Sequence, residues 1–263
     1  MTPEDYVARM SKVEGWLHRD SALATIALSR AAEDLGVRDG SAEIGIHHGR
    51  LFILLHLLSP PSVAIDVFEE QTLNVDRSGR GNREIFLHNC RRFGDPDRIS
   101  VIADSSENVS AEQILSKTGR VRLFSVDGGH TAHLTLNDLN LAQDCLADGG
   151  IVILDDYFNS RWPDVSVGVN RFLSRGALRP FAITPNKLFL TDTSEAADTY
   201  RMTIERLDGH IATMEMAGSR VAILAGGWKA RFKARFGGTR LAEAVETNRF
   251  TRPLARVVRN LLS

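Results

Sequence analysis

Between residues 41 and 154, short β-rich runs alternate with helical segments, and this alternation restricts the fold more than any other feature of the chain. The runs are Ala42 to Gly45, Ser62 to Phe68, Ile99 to Ala103, Val121 to Val126 and Ile151 to Leu154. Apolar residues at helical spacing occupy 49–58, 82–93, 110–117 and 132–147 between them. Ser110 and Gln113 form a capping box at the start of the third helical segment, and Gly149 closes the fourth. Strands joined by crossovers of this length run parallel with right-handed connections, which predicts an α/β, doubly wound, mostly parallel sheet with helices on both faces. Ligands of such sheets sit at the carboxyl ends of the strands. A further helix is expected over 164–174. Pro180 to Thr184 and Leu188 to Thr191 then flank Pro185-Asn186-Lys187, which predicts an antiparallel hairpin at the sheet edge.

The flanks differ from this centre. Residues 3 to 36 carry Tyr6, Met10, Val13, Leu17, Leu23, Ile26, Ala27 and Ala31 at helical spacing, so 1–40 is expected to be a helical lead-in to a domain spanning 41–195. The remaining 196–263 is expected to be a C-terminal extension with a basic amphipathic segment. From 219 onward it holds ten Lys or Arg and two Glu, a net charge of +8. Trp228, Phe232 and Phe236 recur there every four residues with cations between them. The plainer reading is that this stripe packs on its own domain or on a sister subunit in a homo-oligomer. The other reading is peripheral contact with an anionic membrane surface, or with an anionic acceptor.

Composition excludes several classes. With 43% hydrophobic and 25% charged residues the chain is unlike disordered, collagen-like or membrane proteins. A net charge of −1 supplies no global field for nucleic acid, so none is expected as a partner. Cys90 and Cys145 lack C-x-x-C partners and read as small core residues in a reducing compartment. The N-terminus has neither a basic nor an apolar leader region, and stretches such as Leu51 to Leu58 fall short of the ~18 residues of a membrane span. A cytoplasmic soluble protein is expected.

Acidic residues and glycines gather where the runs end. Glu43-Ile44-Gly45-Ile46-His47-His48-Gly49 follows the first run. Gly45 permits a tight turn, Gly49 lets a helix start close to the sheet, and the carboxylate at the loop mouth favours a ligand with a cationic end over a polyphosphate. Asp66 ends the second run, placed to accept the hydroxyls of a ribose, and Asp104 ends the third, placed to accept from an adenine amine. Each of these acids has a plainer alternative as a helix cap. The fourth run ends in Asp127-Gly128-Gly129-His130 and the fifth in Asp155-Asp156-Tyr157. As neighbouring strands ~4.8 Å apart they bring three carboxylates and an imidazole to one edge. A hard divalent cation such as Mg²⁺ relieves the repulsion among such carboxylates. A nearby neutral histidine then serves as base, His130 first and His133 in reserve.

On these residues the chain resembles class I S-adenosylmethionine-dependent methyltransferases over roughly 41–192. Within them it is similar to the metal-dependent sugar O-methyltransferases of macrolide and related glycoside pathways. The E-x-G-x-x-x-G loop, the strand-end acids, V-D-G-G-H and G-G-I-V-I-L-D-D-Y carry the resemblance. It implies a Rossmann-like fold, S-adenosyl-L-methionine as cofactor, and a divalent metal. Glu43, Gly45 and Gly49 would hold the methionine part of the cofactor, and Asp66 and Asp104 with Ser105 its ribose and adenine. Asp127, Asp155 and Asp156 would bind the metal, and His130 would be the base. The acceptor would be a small molecule, glycosylated or anionic. The middle glycine usual in the first motif is absent. Residues 67–82 make an unusually long loop, expected to cover the site, and Arg161 and Trp162, directly after the acidic pair, would either meet an acceptor or pack on the surface. Two other readings remain open at this point: a nicotinamide-dependent oxidoreductase on the same topology, and a non-catalytic cofactor-binding scaffold.

Overall fold

A computed structural model describes residues 1–38 and 40–226. Five parallel strands form its centre: β1 (Gly40–Ile44), β2 (Ser62–Asp66), β3 (Ile99–Ala103), β4 (Val121–Val126) and β5 (Leu146–Asp155). The full sheet has nine strands in the order β3-β2-β1-β4-β5-β7-β6-β9-β8, with β6 (Arg179–Ile183), β7 (Lys187–Thr191), β8 (His210–Met216) and β9 (Ser219–Leu224). Chain order reverses beside β1, where β4 lies on the side opposite β2. This is the switch point at which doubly wound sheets bind ligands.

The central strands read as apolar runs because both of their faces are covered. Along β5, Ile151 and Ile153 belong to one core, whereas Val152 and Leu154 belong to the other. The first core lies under α1 (Pro3–Val7), α2 (Arg19–Asp34), α3 (Arg50–Leu58), α4 (Arg83–Phe93) and α8 (Ser194–Glu205), with Tyr6, Leu28, Phe52, Phe86 and Tyr200 at its centre. The second lies under α5 (Ala111–Thr118), α6 (Ala132–Cys145) and α7 (Pro163–Leu173), through Ile114, Leu139, Val169 and Phe172. Cys90 and Cys145 are free and buried, as core residues should be. The capping box of Ser110 and Gln113 opens α5.

Two expectations shift. The fourth helical segment stops at Cys145, because Leu146 is already extended and pairs with Val121 of β4. Gly149 therefore lies within β5, where its N–H donates to Asp192 and its carbonyl accepts from Tyr200. The β6–β7 hairpin joins β5 antiparallel, yet it does not end the sheet: β9 pairs with β6 in parallel, and β8 is the outermost strand. Residues 194–224 thus extend the same sheet and pack α8 against it. The stripe at Trp228, Phe232 and Phe236 lies outside the described residues. No helix among the described residues is long and apolar enough to cross a membrane.

Candidate active site

The carboxyl ends of β1 to β5 surround a cavity of about 690 Å³. Gly45, Asp66, Asp104, Ser105, Asp127, His130, Asp155 and Asp156 all line it. Gly45 has φ +84°, and a Cβ there would fall 1.8 Å from the Asp127 carbonyl oxygen. A side chain would push β1 and β4 apart, so the glycine is what lets the two strand ends meet. Asp66 shapes the loop after β1: its Oδ2 accepts the N–H groups of Ile46 (2.6 Å) and His47 (2.8 Å), and its Oδ1 accepts that of Phe68 (2.6 Å). A carboxylate has about four acceptor positions, so lone-pair capacity remains for a ligand hydroxyl. Asp104 accepts from Ser105 N–H and Asn108 Nδ2 (2.7 and 2.8 Å), and the Ser105 hydroxyl accepts from Glu107 N–H at 3.4 Å.

Two residues assigned from the first motif do not line this cavity. Glu43 is 2% exposed and buried beneath it, bonded by Ser125 Oγ at 3.1 Å. Burial pushes its carboxyl up to about 8, against the opposing pull of Lys187 and Ser125. A Cβ at Gly49 would meet the Phe86 ring at 2.7 Å, so Gly49 serves helix packing.

The acids of β4 and β5 divide into two groups. Asp127, His130 and Asp156 each bring one ligand-type atom within 4.8 Å of the others. Asp155 instead takes Lys187 Nζ at 2.7 Å, and the same ammonium reaches Asp127 at 3.3 Å. Lys187 stands opposite Asp155 in the β5–β7 register and is 3% exposed. Burial disfavours its charge, but Asp127 and Asp155 outweigh that and hold the ammonium well above its ordinary value. Burial and the neighbouring Asp155 push Asp127 up, opposed by Lys187. The third carboxylate expected to bind metal is therefore neutralised by a lysine.

His130 sits between two carboxylates. Asp76 Oδ2 accepts both its backbone N–H (2.5 Å) and its Nδ1–H (2.8 Å), while Nε2 lies 3.2 Å from Asp156. Burial lowers the imidazole, but the bonds to Asp156 and Asp76 prevail and push it up to about 9. Burial raises Asp156, yet the His130 and Asn159 hydrogen bonds win and leave it below the usual carboxylate range. Asp156 adopts φ +63° with Asn159 Nδ2 on its Oδ1 at 2.8 Å, and the Trp162 ring stacks on His130 at 4.2 Å. His133 turns away, to exposed Glu107 at 3.0 Å.

The long loop does cover the site: Leu73, Asn74, Val75, Ser78 and Gly79 line the cavity, as do Arg161 and Trp162. Asp76 and Lys187 are the residues that sequence reasoning missed as site members. Asp76-Arg77-Ser78-Gly79 reads as an Asx turn, and Ser78 N–H donates to Asp76 Oδ1 at 2.8 Å, but nothing in the sequence aims that turn at His130.

The donor set fits the groups implied by the resemblance. Carboxylate oxygens of Asp127 and Asp156 suit a hard dication, and acids at the ends of β2 and β3 suit a nucleoside's hydroxyls and amine. Fold and site define a Rossmann-like protein with a nucleoside-sized cavity at its switch point. Residues 42–157 match the family described as "Methyltransferase domain". Among solved structures, the O-methyltransferase NovP aligns at TM-score 0.54 and 15% identity over 66% of this chain and 79% of that one. The O-methyltransferase from Bacillus cereus, solved in complex with SAH, aligns at TM-score 0.50 and 13% identity over 72% of this chain and 88% of that one. No curated protein matches the sequence. Residues 42–157 thus resemble a methyltransferase domain, and the two solved O-methyltransferases share its fold.

Proposed function

We propose that this protein transfers the methyl group of S-adenosylmethionine to a hydroxyl of a sugar, glycoside or related small molecule, assisted by a divalent cation. The observation that carries the reading is the meeting of Asp127, His130 and Asp156 on a cavity that also opens on Asp66, Asp104 and Ser105. NovP, with a similar fold, is an O-methyltransferase, which favours oxygen as the accepting atom.

On this reading Asp66 takes the ribose hydroxyls of the donor, and Asp104 with Ser105 takes its adenine. Glu43 acts from beneath, through Ser125 and the charge network of Lys187, Asp127 and Asp155. Asp127 and Asp156 would hold a cation such as Mg²⁺. Such a cation, when bound, lowers the pKa of an acceptor hydroxyl and offsets carboxylate charge beside His130. His130 receives the hydroxyl proton at Nε2, the nitrogen opposite the one that Asp76 holds. Trp162, stacked on the imidazole, restrains its rotation. The oxygen–methyl bond forms as the methyl–sulfur bond breaks, and alignment of the two near ~3 Å supplies much of the acceleration. The loop bearing Asp76 excludes water from the closed site.

The test is transfer of a labelled methyl group to a panel of sugar nucleotides and glycosides by chelator-treated protein, with and without added Mg²⁺. Methylated product that requires the dication is expected. Equal turnover with and without it removes the metal from the account, and tight NAD binding with weak S-adenosylmethionine binding favours an oxidoreductase.

A further inference from the structure

A second group of ligating side chains stands apart from the Asp127 cluster. Glu14, His47 and His48 each present one ligand-type atom within 4.8 Å of the other two. We propose that they form a binding site for a transition-metal dication of the zinc type, which clamps the N-terminal segment onto the loop after β1.

The two histidines are held in place by their backbone. His47 N–H donates to Asp66 Oδ2 at 2.8 Å, and the His48 carbonyl accepts from Asn89 Nδ2 at 3.0 Å. Their rings stack with centroids 3.9 Å apart, and Trp16 leans on His47 at 5.1 Å. Glu14 is brought to them from the other side. Arg50 Nε donates to the Val13 carbonyl at 2.6 Å, and the Tyr6 hydroxyl donates to the Arg50 carbonyl at 2.7 Å. Gly15, at φ +148°, comes so close to Arg50 that an added Cβ would lie 3.1 Å from the arginine's own. Residues 13 and 15 are therefore fixed against Arg50, and Glu14 between them faces His48.

The polar atoms at the centre are unsatisfied. His48 is 7% exposed, and its Nδ1 lies 3.3 Å from Glu14 Oε2 without forming a hydrogen bond. Nδ1 of His47 is likewise buried without a hydrogen-bond partner. Buried polar atoms are normally paired, and an exception calls for a missing partner such as an ion. Two imidazoles and one carboxylate are a ligand set suited to Zn²⁺ and its neighbours in the first transition row, and ill suited to Mg²⁺, which prefers oxygen. Two chain segments far apart in sequence supply the ligands, so binding would tie the lead-in region to the wall of the cavity that His47 and Trp16 line.

The experiment uses the full chain without a histidine tag, stripped with chelator and titrated with Co²⁺ and then Zn²⁺, monitored by visible absorption and metal content. One dication per chain is expected at this site, with affinity lowered at least ~10-fold in Glu14→Gln and in His48→Gln. Asp156→Asn, which alters the other cluster, is expected to leave that affinity intact. Glu14 has a 73% exposed side chain, so Glu14→Gln reports on the ligand even if His48→Gln perturbs folding. Absence of stoichiometric binding, unchanged affinity in Glu14→Gln, or a loss confined to Asp156→Asn overturns the proposal. The readout is metal binding, so its failure is distinguishable from failure of the methyl-transfer reading.

Discussion

Replacing Lys187 with methionine keeps most of the side-chain volume and removes the cation between Asp127 and Asp155. In the native arrangement the ammonium lies 2.7 Å from Asp155 and 3.3 Å from Asp127, with all but 3% of the residue shielded from water. Removing one partner of a buried pair leaves an uncompensated charge, which costs ~3–5 kcal/mol. At ~2–4 °C per kcal/mol for a domain of this size, the melting temperature should fall by about 6–20 °C at pH 8. The deficit should shrink toward pH 5. Burial and the neighbouring Asp155 already raise Asp127 above its unfolded value, so this carboxylate destabilises less where it can take up a proton. Adding Asp155→Asn to Lys187→Met should recover part of the loss, because one of the two stranded carboxylates is then neutral. Thermal unfolding followed by near-ultraviolet circular dichroism at the two pH values measures all of this. A shift under 2 °C, or an equal deficit at both, refutes the argument that Lys187 neutralises the pair.

Other consequences concern protonation and binding. Glu43 has its carboxyl pushed up to about 8, so the stability it contributes is complete below its unfolded value and is lost as pH rises through 8. Glu43→Gln should therefore melt higher than wild type at pH 9, and near wild type at pH 4. His130, pushed up to about 9, holds its proton at neutral pH. In chelator-treated protein the His130 ring should lose its proton near that value, and Asp76→Asn should move the midpoint down, as an NMR titration of the imidazole would reveal. Asp66→Ala removes the acceptor of two N–H groups in the loop after β1 and should weaken S-adenosylhomocysteine binding by at least ~10-fold in calorimetry.

The centre of the fold was legible because period and punctuation agreed there. β3 and β4 have the bounds read from the sequence, and α5 opens at its capping box. The end of α6 was misplaced because Leu146 and Ala147 are buried in β5 as they would be in a helix, so apolar spacing does not separate the two states. The converging acids were legible from adjacent strand ends. Their division was not: whether Asp155 faces a cation or a lysine depends on the antiparallel register that sets Lys187 opposite it, and no local pattern states that register. Glu43 illustrates the same limit. It occupies the position of a cofactor-binding acid in the motif, but its strand aims it into the buried network beneath the cavity. Asp76 was hidden for a different reason, since a loop's reach follows from tertiary closure and composition alone marks only its turn.

On the proposed reading a hydroxyl on the acceptor gives its proton to His130 as the methyl group arrives. Single-turnover transfer of a ¹³C-labelled methyl group, with the product's carbon shift read by NMR, compares wild type with His130→Ala most directly. A methoxyl carbon in the product and a rate lowered ~10²-fold or more in the variant are expected. A label carried on nitrogen or carbon, or an unchanged rate in His130→Ala, would contradict it.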